Sequence, residues 1–155
     1  MILLHSLAAQ VITKFSKEEW TLAAVESCTG GLLSDSLTDI DGSSKIFLGG
    51  IVAYSPLAKL KFCGVKQTTL IQFGTVSSQI TAELCESIKN KLSTSVGIAI
   101  TGIAGSSIEN KPKGLVFIGI SSPKGISIEE LHFQGDRRKI KEQAVYAALQ
   151  ALLNL

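Results

Sequence analysis

The chain has 155 residues, 45% hydrophobic and 18% charged, with a formal net charge of +2. A chain of that length buries roughly 70% of its unfolded surface, so it needs neither a disulfide nor a metal to fold. No Lys/Arg block is long enough to form the concentrated basic face of a nucleic-acid binder, which excludes that class of partner.

Leu4, Leu7, Val11, Ile12 and Phe15 recur at three- and four-residue steps and predict an opening amphipathic helix. This apolar start has no positive leading segment and is interrupted by His5, Gln10 and Thr13, so it does not fit a signal peptide. No apolar run reaches the ~20 residues of a membrane span, and a reducing, cytoplasmic setting is expected. Residues 21–26 (TLAAVE) predict a buried strand that ends in Ser-Cys-Thr-Gly-Gly, and residues 32–37 look helical. Residues 39–44 (DIDGSS) carry turn chemistry. Residues 46–55 predict a strand in which Gly49-Gly50 marks a bulge or a close backbone approach.

Pro56 suits the first position of a helix capped by Ser55 and running to about Phe62. Ser77 or Ser78 opens a longer helix with Ile80, Leu84, Ile88 and Leu92 on one face. Apolar runs at 96–101, 115–121 and 126–133 predict strands, the last two joined as an antiparallel hairpin through Pro123-Lys124-Gly125. Asp136 caps a final helix with Ile140, Ala144, Ala147, Ala148, Ala151 and Leu152 inward. Alternating helices and strands followed by a hairpin and a helix predict one α/β domain over residues 1–155, a three-layer α/β/α sandwich on a mixed, mostly parallel sheet.

The junction after residue 26 is the place for chemistry. A strand turning sharply into a helix lifts its last side chain above the sheet edge, with N–H groups and the helix dipole facing whatever binds there. Glycines at 30 and 31 allow close backbone approach. Three readings stay open: the loop Cys28-Thr29-Gly30-Gly31 holds a phosphate, Ser27 is a nucleophile, or Cys28 is. His5 and His132 lie far from any glycine-rich loop, so a Ser-His-Asp triad does not fit, and a lysine of lowered pKa is the other common base. Lys59, one turn into its helix, is the candidate, and Tyr54 could orient it or donate to a substrate. The three cysteines are odd in number and far apart, and no His or Cys has a neighbour at ligand spacing, so no metal is expected.

Thr101-Gly102-Ile103-Ala104-Gly105 forms a second strand-to-loop junction, of the kind that lines ligand crevices. Arg137, Arg138 and Lys139 occupy a first helical turn, where the dipole repels cations. That placement suits an anion site, with Lys141 one turn beyond Arg137 on the same side, or else a merely solvated basic turn.

The motifs Ala24-Val25-Glu26-Ser27-Cys28-Thr29-Gly30-Gly31, Asp41-Gly42-Ser43-Ser44, Val52-Ala53-Tyr54-Ser55-x-x-Ala58-Lys59, Gly74-Thr75-Val76-Ser77, Thr101-Gly102-Ile103-Ala104-Gly105, Lys111-Pro112-x-Gly114 and Gly135-Asp136-Arg137 occur in one order along nearly the whole chain. In that order they resemble the CinA C-terminal domain family and its stand-alone form, nicotinamide-nucleotide amidase. The resemblance implies deamidation of nicotinamide mononucleotide to nicotinate mononucleotide and ammonia, in pyridine-nucleotide salvage, without a cofactor. It places the family's serine on Ser27, its lysine on Lys59, its tyrosine on Tyr54 and its phosphate-contacting cations on Arg137 and Lys141, the last usually arginine. It implies a similar α/β/α fold, a homodimer, a small-molecule nucleotide substrate and no nucleic-acid or membrane partner. The fused N-terminal domain of longer CinA proteins is not expected in this chain. One stretch departs from the pattern: Ser106-Ser107-Ile108-Glu109-Asn110 replaces a longer proline- and glycine-rich run. That departure leaves a catalytically altered nucleotide-binding or interaction module, or an amidase for another phosphorylated amide, as alternatives.

Overall fold

In a computed structural model, residues 2–155 are described. They form α1 (Ile2–Lys17), β1 (Leu22–Glu26), α2 (Leu32–Thr38), β2 (Phe47–Val52), α3 (Pro56–Cys63), α4 (Gln67–Phe73), α5 (Ser78–Leu92), β3 (Val96–Gly102), β4 (Leu115–Ser122), β5 (Gly125–His132) and α6 (Arg137–Leu153). The sheet order is β2-β1-β3-β4-β5. β1 pairs in parallel with β2 and β3, while β4 is antiparallel to both β3 and β5. All strands except β4 therefore point the same way, the mixed and mostly parallel sheet expected from the sequence.

Strand alternation sorts the core into two layers. Leu22 and Ala24 of β1 and Val96, Ile98 and Ile100 of β3 pack with Phe15, Leu33, Leu37, Ile140 and Leu149 from α1, α2 and α6. Ala23, Val25 and Ala99 face Ile80, Leu84, Cys85 and Ile88 of α5, with Cys63 of α3 alongside. The α5 side uses small strand residues because the helix lies close. A Cβ on Gly97 would stand 2.2 Å from the Cys85 carbonyl oxygen.

The structure departs from the expected elements in a few places. β2 ends at Val52, not at residue 55: the Ala53 N–H still donates to the Glu26 carbonyl, and Ser55 then leaves the sheet to cap α3 by accepting from the Ala58 N–H. Pairing slips between Leu22 and Ala23, the irregularity expected near Gly49-Gly50. Leu92 shares the α5 seam only partly, being 39% exposed. α4 has no counterpart in the sequence reading, since none of its residues is buried and no apolar stripe announces it. Glu83 of α5 holds it instead, accepting from the Lys66 N–H and the Thr69 hydroxyl. No described helix is long and apolar enough to cross a membrane.

Candidate active site

Ser27 follows the last residue of β1 and extends the ladder, its N–H donating to the Ile100 carbonyl at 3.0 Å. The chain then turns sharply as the Gly30 N–H donates back to the Ser27 carbonyl at 3.1 Å. α2 begins after Gly31 without any side-chain cap of the usual kind. Glu26, 1% exposed, supplies that cap from five residues upstream. Its Oε2 accepts from the Thr29 hydroxyl and the Gly31 and Leu33 N–H groups, and its Oε1 from the Ser34 N–H and hydroxyl, all at 2.7–3.1 Å. One buried carboxylate thus fixes the whole turn, where the helix N-terminus also favours negative charge.

Lys59 approaches from α3. It is 2% exposed, and its Nζ lies 3.0 Å from Ser27 Oγ and 2.8 Å from the Ala53 carbonyl oxygen. Among the described residues no carboxylate forms an ion pair with it. Burial holds its pKa below the ordinary 10.5, outweighing the opposing influence of Cys28, Cys63 and Glu109. A neutral amine that gives one N–H to Ala53 has a lone pair to turn toward the serine hydroxyl, which is what a general base requires.

Cys28 has the opposite character. Its side chain belongs to the core beneath α2 and α6, and burial pushes the thiol up to about 12, so it stays protonated at neutral pH. The N–H group of Cys28, which lines the cleft beside Ser27, makes no hydrogen bond to another described residue and is available to a developing oxyanion. Gly30 does not share that role, because its N–H closes the turn.

Ser27 and Lys59 open into a cleft of about 370 Å³. The structure gathers Cys28, Tyr54, Gly102, Gly105 and Arg137 around the same cleft. It does not bring Thr29, Gly31 or Thr101 there. Thr29 is spent on Glu26. Thr101 is fully buried with its hydroxyl 2.8 Å from that of Thr81 on α5, so it holds strand to helix. Tyr54 sits at the mouth, 63% exposed and not bonded to Lys59; the Ala53 carbonyl orients the lysine in its place. Arg137 lies across the Gly105 backbone, where a Cβ would meet its Nη2 at 2.3 Å. Lys141 and Gly30 line a neighbouring cleft with Arg138, so the two cations expected to act together face different spaces. Arg138 is paired with Glu142 at 2.7 Å.

Glu26, Ala53, Thr75, Val76 and Ile108 are site residues that the sequence reading did not single out. A signal existed for Glu26: α2 opens after two glycines with no Ser, Thr, Asp or Asn cap, so its N–H groups needed a carboxylate from elsewhere. Among the described residues, no group of three or more His, Cys, Asp or Glu side chains could hold a metal ion.

The family model for the CinA C-terminal domain matches residues 4–155. A protein of Desulforamulus reducens named as competence-damage inducible is 46% identical over 131 residues, covering 84% of this chain and 32% of its own length. A CinA-like protein of Kosmotoga olearia is 40% identical over 147 residues, covering 94% of this chain and 36% of its own. The chain thus spans about a third of the length of these relatives. The crystal structure of the competence/damage inducible protein CihA from Agrobacterium tumefaciens superposes with a TM-score of 0.93 at 33% identity, covering 99% of this chain and 96% of that one.

Proposed function

The chain belongs to the CinA C-terminal domain family, and on that premise we propose that it is a serine amidohydrolase that converts nicotinamide mononucleotide and water to nicotinate mononucleotide and ammonia. The observation that carries this reading is the 3.0 Å contact between Ser27 Oγ and the buried, carboxylate-free amine of Lys59.

Neutral Lys59 takes the Ser27 proton as the oxygen bonds to the carboxamide carbon. The Cys28 N–H group receives the oxyanion, a contribution of roughly 3–4 kcal/mol per donor in comparable sites. Lys59 returns the proton to the departing nitrogen, the carbon–nitrogen bond breaks and ammonia leaves. Water then attacks the acyl-serine, Lys59 again taking and returning a proton, and the nicotinate product is released. Arg137, on the cleft wall, binds the 5′-phosphate and adds affinity at a point remote from the amide.

Ammonia release from nicotinamide mononucleotide by the unmodified chain tests this reading. Binding without turnover would instead support a nucleotide-binding module, and turnover of other phosphorylated amides alone would move the substrate. Arg137→Ala should raise KM roughly 10- to 100-fold, the worth of a charged hydrogen bond, with kcat nearly kept. A fall in kcat without a change in KM would remove Arg137 from phosphate binding.

A further inference from the structure

The turn over residues 108–111 is held by a set of side-chain and backbone contacts. Ile108 and Lys111 bridge, with the Lys111 N–H donating to the Ile108 carbonyl at 2.8 Å, while Glu109 and Asn110 between them take φ values of 51° and 58°. That is a type I′ turn without glycine at either central position; Asn110 tolerates the left-handed region, whereas Glu109 holds it because its surroundings compel it.

The compelling contacts come from residues 73–76, two of which also line the Ser27 cleft. Glu109 accepts from the Thr75 N–H at 2.9 and 3.0 Å and from the Thr75 hydroxyl at 2.7 Å. Lys111 pairs with Glu109 at 3.3 Å and donates to the Phe73 and Val76 carbonyls at 2.8 and 2.6 Å, so all three of its N–H groups are engaged. Gly74 is required beneath this clasp: its φ is 78°, and a Cβ there would lie 2.2 Å from Glu109 Oε2. Burial alone would raise the Glu109 pKa, but the Thr75 N–H and hydroxyl and the Lys111 ammonium together hold it below the usual carboxylate range, so the clasp stays charged at neutral pH.

Thr75 and Val76 line the cleft, as do Ser106 and Ile108. Ile108 is 44% exposed. Ile103 and Ala104 add apolar surface and Arg137 a cation to a lining that also holds the Ser27 and Tyr54 hydroxyls and contains no Asp or Glu. Such a wall suits an anionic substrate with a flat, weakly hydrated ring. It offers no partner for the ammonium of an amino-acid amide.

We infer that the Ile108–Lys111 turn is a specificity strap: Glu109 fastens it to Thr75 at the cleft, and Ile108 thereby presents the apolar surface against which the ring of an anionic ring carboxamide packs. Ile108 is the specificity-determining residue and Glu109 a positioning residue that acts through it. This rests on the amidohydrolase reading for the identity of the ring, but not for the clasp itself.

The test measures binding of nicotinamide mononucleotide by calorimetry in Ser27→Ala protein, where turnover does not interfere. Ile108→Ala should weaken binding about five- to tenfold, in line with losing a half-buried aliphatic contact. Glu109→Ala should do the same and should speed amide exchange at Thr75 and Lys111. The double variant should bind no worse than about tenfold below the parent, because both changes remove one contact. In protein with Ser27 intact, both single changes should act on KM and leave kcat within about twofold. An Ile108→Ala affinity within twofold of the parent, multiplicative losses near fiftyfold, or unchanged exchange at Thr75 and Lys111 would each overturn the strap while leaving the amidohydrolase reading intact. Weakened binding by Ile108→Ala in a chain that releases no ammonia would overturn the amidohydrolase reading and leave the strap standing. Absence of any binding would overturn both.

Discussion

Lys59→Met should lower amide turnover roughly 100- to 10,000-fold, the range of a lost general base, in a chain that still folds. Methionine matches the lysine stem in length and fits the same buried channel beside Ala53, but has no lone pair to accept the Ser27 proton. Because burial depresses the Lys59 pKa, the unmodified chain should gain kcat/KM as pH rises through that depressed value, and the residual rate of Lys59→Met should lack this limb. Stability carries the same signature. Between the depressed folded pKa and the ordinary 10.5 the unfolded chain binds more protons than the folded one, so stability rises with pH across that window. Denaturant titrations in that window should show the rise for the unmodified chain and its loss in Lys59→Met. A kcat within threefold of the parent would remove Lys59 as the base.

Glu26→Gln should give the largest loss of stability, about 3–5 kcal/mol, and a fall in melting temperature on the order of 10 °C. The carboxylate accepts five hydrogen bonds in a site 1% exposed, and an amide must turn its NH2 group toward some of those same donors. Unpaired buried donors cost about 1–3 kcal/mol each, more when the lost acceptor was charged. The turn that presents the Cys28 N–H group would shift with them, and a displacement near 1 Å costs roughly 100-fold in rate. Calorimetric unfolding together with kcat checks both parts. Unchanged melting would mean that the Glu26 carboxylate is not what anchors the turn.

Much of this site was legible in the sequence because its parts are local. The strand-to-helix junction at Ser27, the Ser55–Pro56 helix start that places Lys59, and the Asp136 cap ahead of Arg137 each follow from a few neighbouring residues. What stayed hidden depends on tertiary placement. α4 is held by Glu83 from another helix, and no local pattern encodes that. Thr101 follows an ordinary strand pattern, and only the approach of Thr81 shows why its hydroxyl faces α5 and not the cleft. Arg137 and Lys141 share a side by helical spacing, yet one turn of helix separates them and carries Lys141 over Gly30 into the adjacent cleft. The choice between Ser27 and Cys28 was open locally and depends on a tertiary contact: both are buried, but only Ser27 Oγ meets the Lys59 amine, while the Cys28 thiol is held protonated.

That choice is also the most direct point of test. Ammonia release from nicotinamide mononucleotide should be measured side by side for the unmodified chain, Ser27→Ala and Cys28→Ser. With Ser27 as nucleophile and Cys28 a buried neutral thiol, Ser27→Ala falls to background with its fold intact, and Cys28→Ser stays within a few-fold of the parent. Full activity in Ser27→Ala, or its loss in a well-folded Cys28→Ser, would contradict the Ser27–Lys59 mechanism.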